Sequence, residues 1–233
     1  MNSRTQGREG RTSPALQAKI RNSRAKPVST NIFRIYLIIY NALSAVAWAA
    51  FANQVYETFK SSDLAAIPSR TIKTLCIVQT LALLEVLHVI LGLVPSQLFS
   101  TVMQIASRLF ITWVPGYYFI TSSAASPLTK WGYLAMIVAW TLSDLTRYIY
   151  YTLNLFGING GPLLWCRYTF FLVLYPIGTV GEVIMIWAMR SGLVASGQTG
   201  HYRHVLAVMM IIYPLGFVYM YNHMLKQRKK YIR

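Results

Sequence analysis

Six mainly apolar stretches of about twenty residues run through the chain, over roughly 32–52, 74–94, 98–122, 131–153, 165–189 and 204–224. A helix rises about 1.5 Å per residue, so each stretch can cross a bilayer core about 30 Å thick. Backbone groups in hydrocarbon must pair within their own segment, which forces helices on spans of this length. The reading is therefore all-α, a polytopic membrane bundle of six transmembrane helices. Charge supports it. Charged residues make up 12% of the 233, and the only acids are Glu9, Glu57, Asp63, Glu85, Asp144 and Glu182. A soluble domain carries about 25% charged residues, so this chain lacks the charge to cover a water-facing surface.

The net charge of +16 is concentrated at the ends. Residues 1–34 hold eight Lys or Arg and residues 226–233 hold five. Two basic tails on one side of a membrane require an even number of crossings and place both tails in the cytoplasm. The domain reading is a disordered basic cytoplasmic tail over 1–31, a six-span domain over 32–225, and a basic cytoplasmic tail over 226–233. A nucleic-acid arm more often accompanies a soluble body, so the tails are read as topogenic and lipid-facing, with no nucleic-acid partner. Arg and Ser with few acids in the first tail also fit an organellar transit peptide. Cys76 and Cys166 both lie in apolar stretches and form neither a disulfide framework nor a metal site. Trp131, Trp165 and Trp187 stand near span ends, as in an aromatic belt.

Ionisable residues inside spans are the informative ones, since each costs about 3 kcal/mol or more at the bilayer centre. They are Glu85, His88, Arg108, Asp144, Arg147, Arg167 and Glu182, with Gln104 as a neutral companion to Arg108. Spacings of three or four put Glu85 with His88, Gln104 with Arg108, and Asp144 with Arg147 on shared helix faces. Tyr175 and Glu182, seven apart, also share a face. Internal ion pairing that only fixes packing is the plain alternative, best for Asp144 with Arg147 and open for Glu85. With six spans, Arg147 and Arg167 fall near cytoplasmic ends and Arg108 lies deeper in the same half. That is a positive rim suited to a phosphate-bearing substrate; for Arg167, snorkelling to headgroups is the alternative.

The fifth stretch reads YTFFLVLYPIGTVGE from Tyr168 to Glu182. Pro176 frees the carbonyl of Leu172, so a kink is expected there. Gly178 and Gly181 let a neighbouring backbone or a ligand come close. This string, together with LLEVLHVILGLVPSQLFSTVMQIASRLFITW (83–113) and AWTLSDLTRYIYYTLNL (139–155), closely resembles the very-long-chain (3R)-3-hydroxyacyl-CoA dehydratases, a family once labelled protein tyrosine phosphatase-like. The resemblance covers roughly 32–230. It departs at Asp144, where the family commonly has Glu, and in the C-terminal dilysine, where three residues follow Lys230.

The resemblance implies a multi-pass enzyme of the endoplasmic-reticulum membrane with cytoplasmic termini. It would dehydrate a (3R)-3-hydroxyacyl-CoA to a trans-2-enoyl-CoA, the third step of fatty acid elongation. Tyr175 and Glu182 fall on the family's catalytic positions; Glu85, Gln104, Arg108, Arg167 and Gly178 fall on its supporting ones. Acyl-CoA and membrane lipid are the implied ligands, and the ketoacyl synthase, ketoacyl reductase and enoyl reductase of elongation the implied partners. The chemistry needs no metal or other cofactor: a base takes the C2 proton, an acid protonates the C3 hydroxyl, and a donor faces the thioester oxygen. Glu182 is read as the base and Tyr175 as the acid, with a Glu182-activated Tyr175 as the other arrangement. Arg108, Arg147 or Arg167 would meet the CoA phosphates. Three other classes stand beside this one. A transporter or channel would show paired broken helices, a phosphatase would place a cysteine in an anion-binding loop, and a silent elongase scaffold would not need the Tyr175–Glu182 pair.

Overall fold

A computed structural model describes residues 31–61, 64–119, 127–158, 161–197 and 200–231. Expectations for the first basic tail fall on 1–31 and so lie, Asn31 apart, outside the described residues. Among those described, every regular element is helical. The elements are α1 (Asn31–Lys60), a short 3₁₀ turn (Leu64–Ala66), α2 (Ile67–Leu81), α3 (Leu83–Ile90) and α4 (Leu98–Ile111), which runs on as a π-helix (Thr112–Phe119). They continue with α5 (Pro127–Leu155), α6 (Gly161–Thr169), α7 (Phe171–Ala195) and α8 (Tyr202–Tyr231). Pro115 lies inside the π-helix, where a missing N–H is readily absorbed by a wide turn.

Four helical runs are long and apolar enough to cross a membrane: Asn31–Lys60, Ile67–Ile90, Gly161–Ala195 and Tyr202–Lys229. The two other expected spans differ for physical reasons. Helix α4 has only 14 residues before the π-helix begins. Helix α5 has 29 residues but carries Lys130, Asp144 and Arg147 with several Ser and Thr. Pro176, where a kink is expected, lies within a continuous helix. Helical assignment is interrupted at Phe170, and Pro176 lies six residues into α7.

The core lies where α1, α2, α5 and α7 meet. Trp48, Phe51, Ile72, Leu75, Tyr133, Met136, Ile137, Met185 and Ile186 are all buried there. Closest of all are α5 and α7. A Cβ built on Gly181 would stand 2.5 Å from the carbonyl oxygen of Gly132, and one on Gly132 would stand 2.5 Å from the Ile184 side chain. Small residues at such a crossing let two backbones touch, which is how helices associate where lipid removes the hydrophobic drive. Outward faces are apolar: Ile32, Leu43, Val46, Ile77, Leu91, Ile211 and Leu215 are all more than half exposed. Such a continuous apolar surface fits acyl chains rather than water. Trp131, Trp165 and Trp187 are exposed on it. Polar hydroxyls turn back on their own helices: Ser44, Thr58, Thr80 and Thr152 each donate to the carbonyl four residues earlier. Helix α5 ends at a glycine with φ +83°, Gly157, and Ile158 N–H closes the turn on the Leu153 carbonyl at 2.9 Å.

Candidate active site

Two polar assemblies occupy the bundle, and α4 and α5 contribute to both. The first is a ladder of charge. Both Nη atoms of Arg147 on α5 donate to the Glu85 carboxylate on α3, at 2.6 and 2.9 Å. The Tyr148 hydroxyl donates to the same carboxylate. Arg147 also lies 3.2 Å from Asp144, one turn earlier on its own helix. Asp144 in turn accepts from Arg108 on α4. The order Glu85–Arg147–Asp144–Arg108 therefore alternates in sign. Beside it, the Tyr36 hydroxyl lies 2.8 Å from His88 Nε2, and the Tyr40 ring meets the His88 ring edge-on at 4.7 Å. The spacing-based pair Asp144–Arg147 is present, but each member has its shorter bond to a different helix.

The second assembly is a cavity of about 420 Å³ bounded by α4, α5, α7 and α8. Gln104 and Arg108 line it from α4, Trp140 and Ser143 from α5, Tyr175, Gly178 and Glu182 from α7, and Tyr213 from α8. The Trp140 indole N–H donates to Glu182 Oε1 at 2.8 Å. The Arg108 guanidinium lies over the same indole, 5.0 Å from its centroid. Glu182 is buried and, among the described residues, forms no ion pair. An unpaired carboxyl in an apolar bundle is costly unless it serves a ligand or a reaction. Tyr175 is fixed by its ring, which stacks on Phe217 at 5.2 Å with planes 9° apart. Tyr213 donates to the Ser107 carbonyl at 3.4 Å.

The sequence-derived residues thus divide. Tyr175, Glu182, Gln104, Arg108 and Gly178 line one cavity, while Glu85, Arg147 and Arg167 do not. Glu85 and Arg147 belong to the charge ladder, which reaches the cavity only through Arg108. Arg167 is enclosed by tyrosines: its guanidinium carbon lies 4.2 Å from the Tyr151 ring centroid and 4.8 Å from that of Tyr150. Its Nη2 donates to the Tyr151 hydroxyl at 2.7 Å, and its Nη1 is buried without a hydrogen-bond partner. Gly178 is a close-approach position, since a Cβ there would stand 3.3 Å from Ala139 Cβ.

Sequence reasoning missed Trp140 and Tyr213. The signal for Trp140 was present: it stands four residues before Asp144 and so shares its face. The signal for Tyr213 is a repeat. Tyr213-Pro214-Leu215-Gly216 on α8 reproduces the pattern Tyr175-Pro176-Ile177-Gly178 on α7, and the Tyr and Gly of both copies border the same cavity. Neither cysteine lies in an anion-binding loop. Cys76 is buried within α2, and Cys166 is part of α6.

Comparison with known proteins gives the family. Residues 79–233 match the family described as "Protein tyrosine phosphatase-like protein, PTPLA". A "Probable very-long-chain (3R)-3-hydroxyacyl-CoA dehydratase" of Schizosaccharomyces pombe is 37% identical over 196 residues, covering 84% of this chain and 91% of that one. The human "Very-long-chain (3R)-3-hydroxyacyl-CoA dehydratase 2" is 33% identical over 209 residues, covering 84% and 80%. The Oryza sativa subsp. japonica "Very-long-chain (3R)-3-hydroxyacyl-CoA dehydratase PASTICCINO 2A" is 30% identical over 215 residues, covering 87% and 95%. No solved structure matches the chain. The chain, helical in its described residues and similar along most of its length to these proteins, belongs to the PTPLA family of very-long-chain (3R)-3-hydroxyacyl-CoA dehydratases.

Proposed function

We propose that this chain dehydrates very-long-chain (3R)-3-hydroxyacyl-CoA to the trans-2-enoyl-CoA within the fatty acid elongation cycle, with the reaction in the α4–α5–α7–α8 cavity. The observation that carries the reading is the meeting of Tyr175 and Glu182 on that cavity, in a bundle whose two other interior carboxylates, half-buried Glu85 and buried Asp144, are paired with arginines. In this scheme Glu182 takes the proton from C2. The C2 electron pair forms the new double bond, and the C3–O bond breaks. Tyr175 gives its proton to the departing hydroxyl, which leaves as water. Proton return from Glu182 to the tyrosinate, directly or through that water, restores both groups. Gln104 and Arg108 supply N–H donors on the same wall for the thioester oxygen as it gains charge. Trp140 keeps one carboxylate oxygen of Glu182 occupied, which orients the other.

The same proposal holds six helical runs as six crossings with both termini cytoplasmic, in the endoplasmic-reticulum membrane beside the other elongation enzymes. Alternation of sidedness and the basic residues that follow Leu225 support it. The test is a single-turnover assay of purified protein in detergent on 3-hydroxyacyl-CoAs, with wild type, Tyr175→Phe and Glu182→Gln. General acid–base groups contribute about 10²- to 10⁴-fold, and each variant should lose activity on that scale. Wild-type protein that leaves the substrate intact, or a Tyr175→Phe variant at full rate, removes the assignment.

A further inference from the structure

The two Tyr-Pro-x-Gly copies differ in what their glycines face. Gly178 is explained by packing, with Ala139 3.3 Å and Trp140 3.7 Å from where its Cβ would stand. Gly216 is not, because a Cβ there would meet nothing within 4 Å although the residue borders the cavity. Helices α4 and α8 hardly approach each other through their backbones. Among the described residues, one hydrogen bond and one ring contact join them. Tyr213 donates to the Ser107 carbonyl, and the rings of Phe99 and Tyr219 meet edge-on at 5.7 Å. Along α8 these bridges are six residues apart, about 9 Å, and along α4 eight residues, about 12 Å. Gly216 lies midway on one side and Met103 midway on the other, and both border the cavity. The place of a Gly216 side chain is empty between the two bridges, and alkyl carbons pack at about 4 Å from their neighbours, so a hydrocarbon chain has room beside α8 there.

Volume gives that gap a use. A dry cavity of about 150 Å³ holds the six carbons of benzene. By that measure the 420 Å³ here house roughly seventeen heavy atoms. Thioester, C1 to C3 and the hydroxyl take six of them, leaving space for about eleven tail carbons, whereas a very long acyl chain has about twenty or more. Resting on the function proposed above, we infer that the acyl tail leaves the cavity between α4 and α8, through the gap that Gly216 and Met103 frame, and continues into the bilayer. Lipid is as apolar as the side chains lining the gap. Carbons beyond the gap therefore meet the same surroundings bound or free, and chain length is not measured by a closed end. The four methionines on the cavity, Met103, Met209, Met220 and Met224, suit a wall that adapts to a flexible chain.

The experiment measures single-turnover rates on 3-hydroxyacyl-CoAs of eight, sixteen and twenty-four carbons, in lipid nanodiscs. It uses wild type, Gly216→Leu, Met103→Trp and the lipid-facing control Val218→Leu. Wild type should act on the two longer substrates with nearly equal kcat/KM. Both gap variants should lower the ratio of the longest to the shortest substrate by about ten-fold or more, the scale of a blocked apolar subsite; the control should keep it. A wild type that fails sharply above about fourteen carbons, or gap variants that keep the wild-type ratio or lose all lengths equally, would overturn the exit. A wild type inactive on every length would instead remove the dehydratase reading. Size-exclusion profiles in detergent identify a misfolded variant, and the second gap variant then carries the test.

Discussion

Glu85 and Glu182 are both carboxylates inside the bundle, and the chain treats them in opposite ways. Glu85 receives two bonds from Arg147 and one from Tyr148. Glu182 accepts from an indole N–H, has Tyr213 and Arg108 beside it without an ion pair, and borders the cavity. A buried charge whose hydrogen-bonding capacity is filled holds helices together. One left partly unfilled beside a cavity is available for chemistry. The ladder from Glu85 to Arg108 therefore fixes α3, α4 and α5, and its last member, Arg108, transmits that fixity to the cavity wall.

That contrast can be broken at either end. The largest effect is expected from Glu182→Gln. The amide oxygen can still accept from Trp140, so thermal unfolding in detergent should change little while single-turnover rate falls about 10²- to 10⁴-fold. Glu85→Gln should do the reverse in its main readout. Removing one partner of a fully buried pair costs about 3–5 kcal/mol; a smaller loss, about 1–3 kcal/mol, is expected here because the Glu85–Arg147 pair is only part-buried and Asp144 still contacts Arg147. A thermal midpoint unchanged from wild type would show that the ladder is not structural. Replacing Glu85 and Arg147 together by Leu sharpens the point: it should recover much of that loss, since an apolar pair of similar volume is often neutral.

Packing offers a smaller pair of tests. Gly181→Ala forces a methyl against the Gly132 carbonyl and should destabilise by about 1–3 kcal/mol, seen as a lowered unfolding midpoint. Gly178→Ala meets only Ala139 and the Trp140 edge and should cost less. Trp140→Phe keeps the ring under Arg108 but drops the bond to Glu182. Hydrogen bonds to charged groups are worth about 1.5–3 kcal/mol, so kcat should fall roughly ten- to hundred-fold, with KM nearly unchanged. A kcat equal to wild type would mean that Glu182 needs no orienting partner.

Much of this was legible in the residues. Apolar length fixed the helical class, and i,i+3 or i,i+4 spacing identified which polar residues share a face. The seven-residue step from Tyr175 to Glu182 put both on one side of α7, where they line the same cavity. Cross-helix partners were not legible. Asp144 and Arg147 are neighbours in sequence, yet the shortest bond of each goes to another helix, because that choice depends on how α3, α4 and α5 are rotated against one another. Arg167 illustrates the same gap: nothing in its local sequence distinguishes a guanidinium reaching for headgroups from one enclosed by Tyr150 and Tyr151. Tyr213 required noticing that α8 repeats a four-residue pattern from α7, and its importance depends on the two copies bordering one space.

The contact of Gly132 with Gly181 has a consequence for alignment. Side chains that meet through methyl and methylene groups can yield by fractions of an ångström, but two main chains in direct touch cannot. Glu182 is the next residue after Gly181, and Trp140 lies two turns beyond Gly132. The carboxyl and the indole are thus mounted on parts that meet without a cushion, and the tolerance of the site is set by bare peptide rather than by the softer material around it.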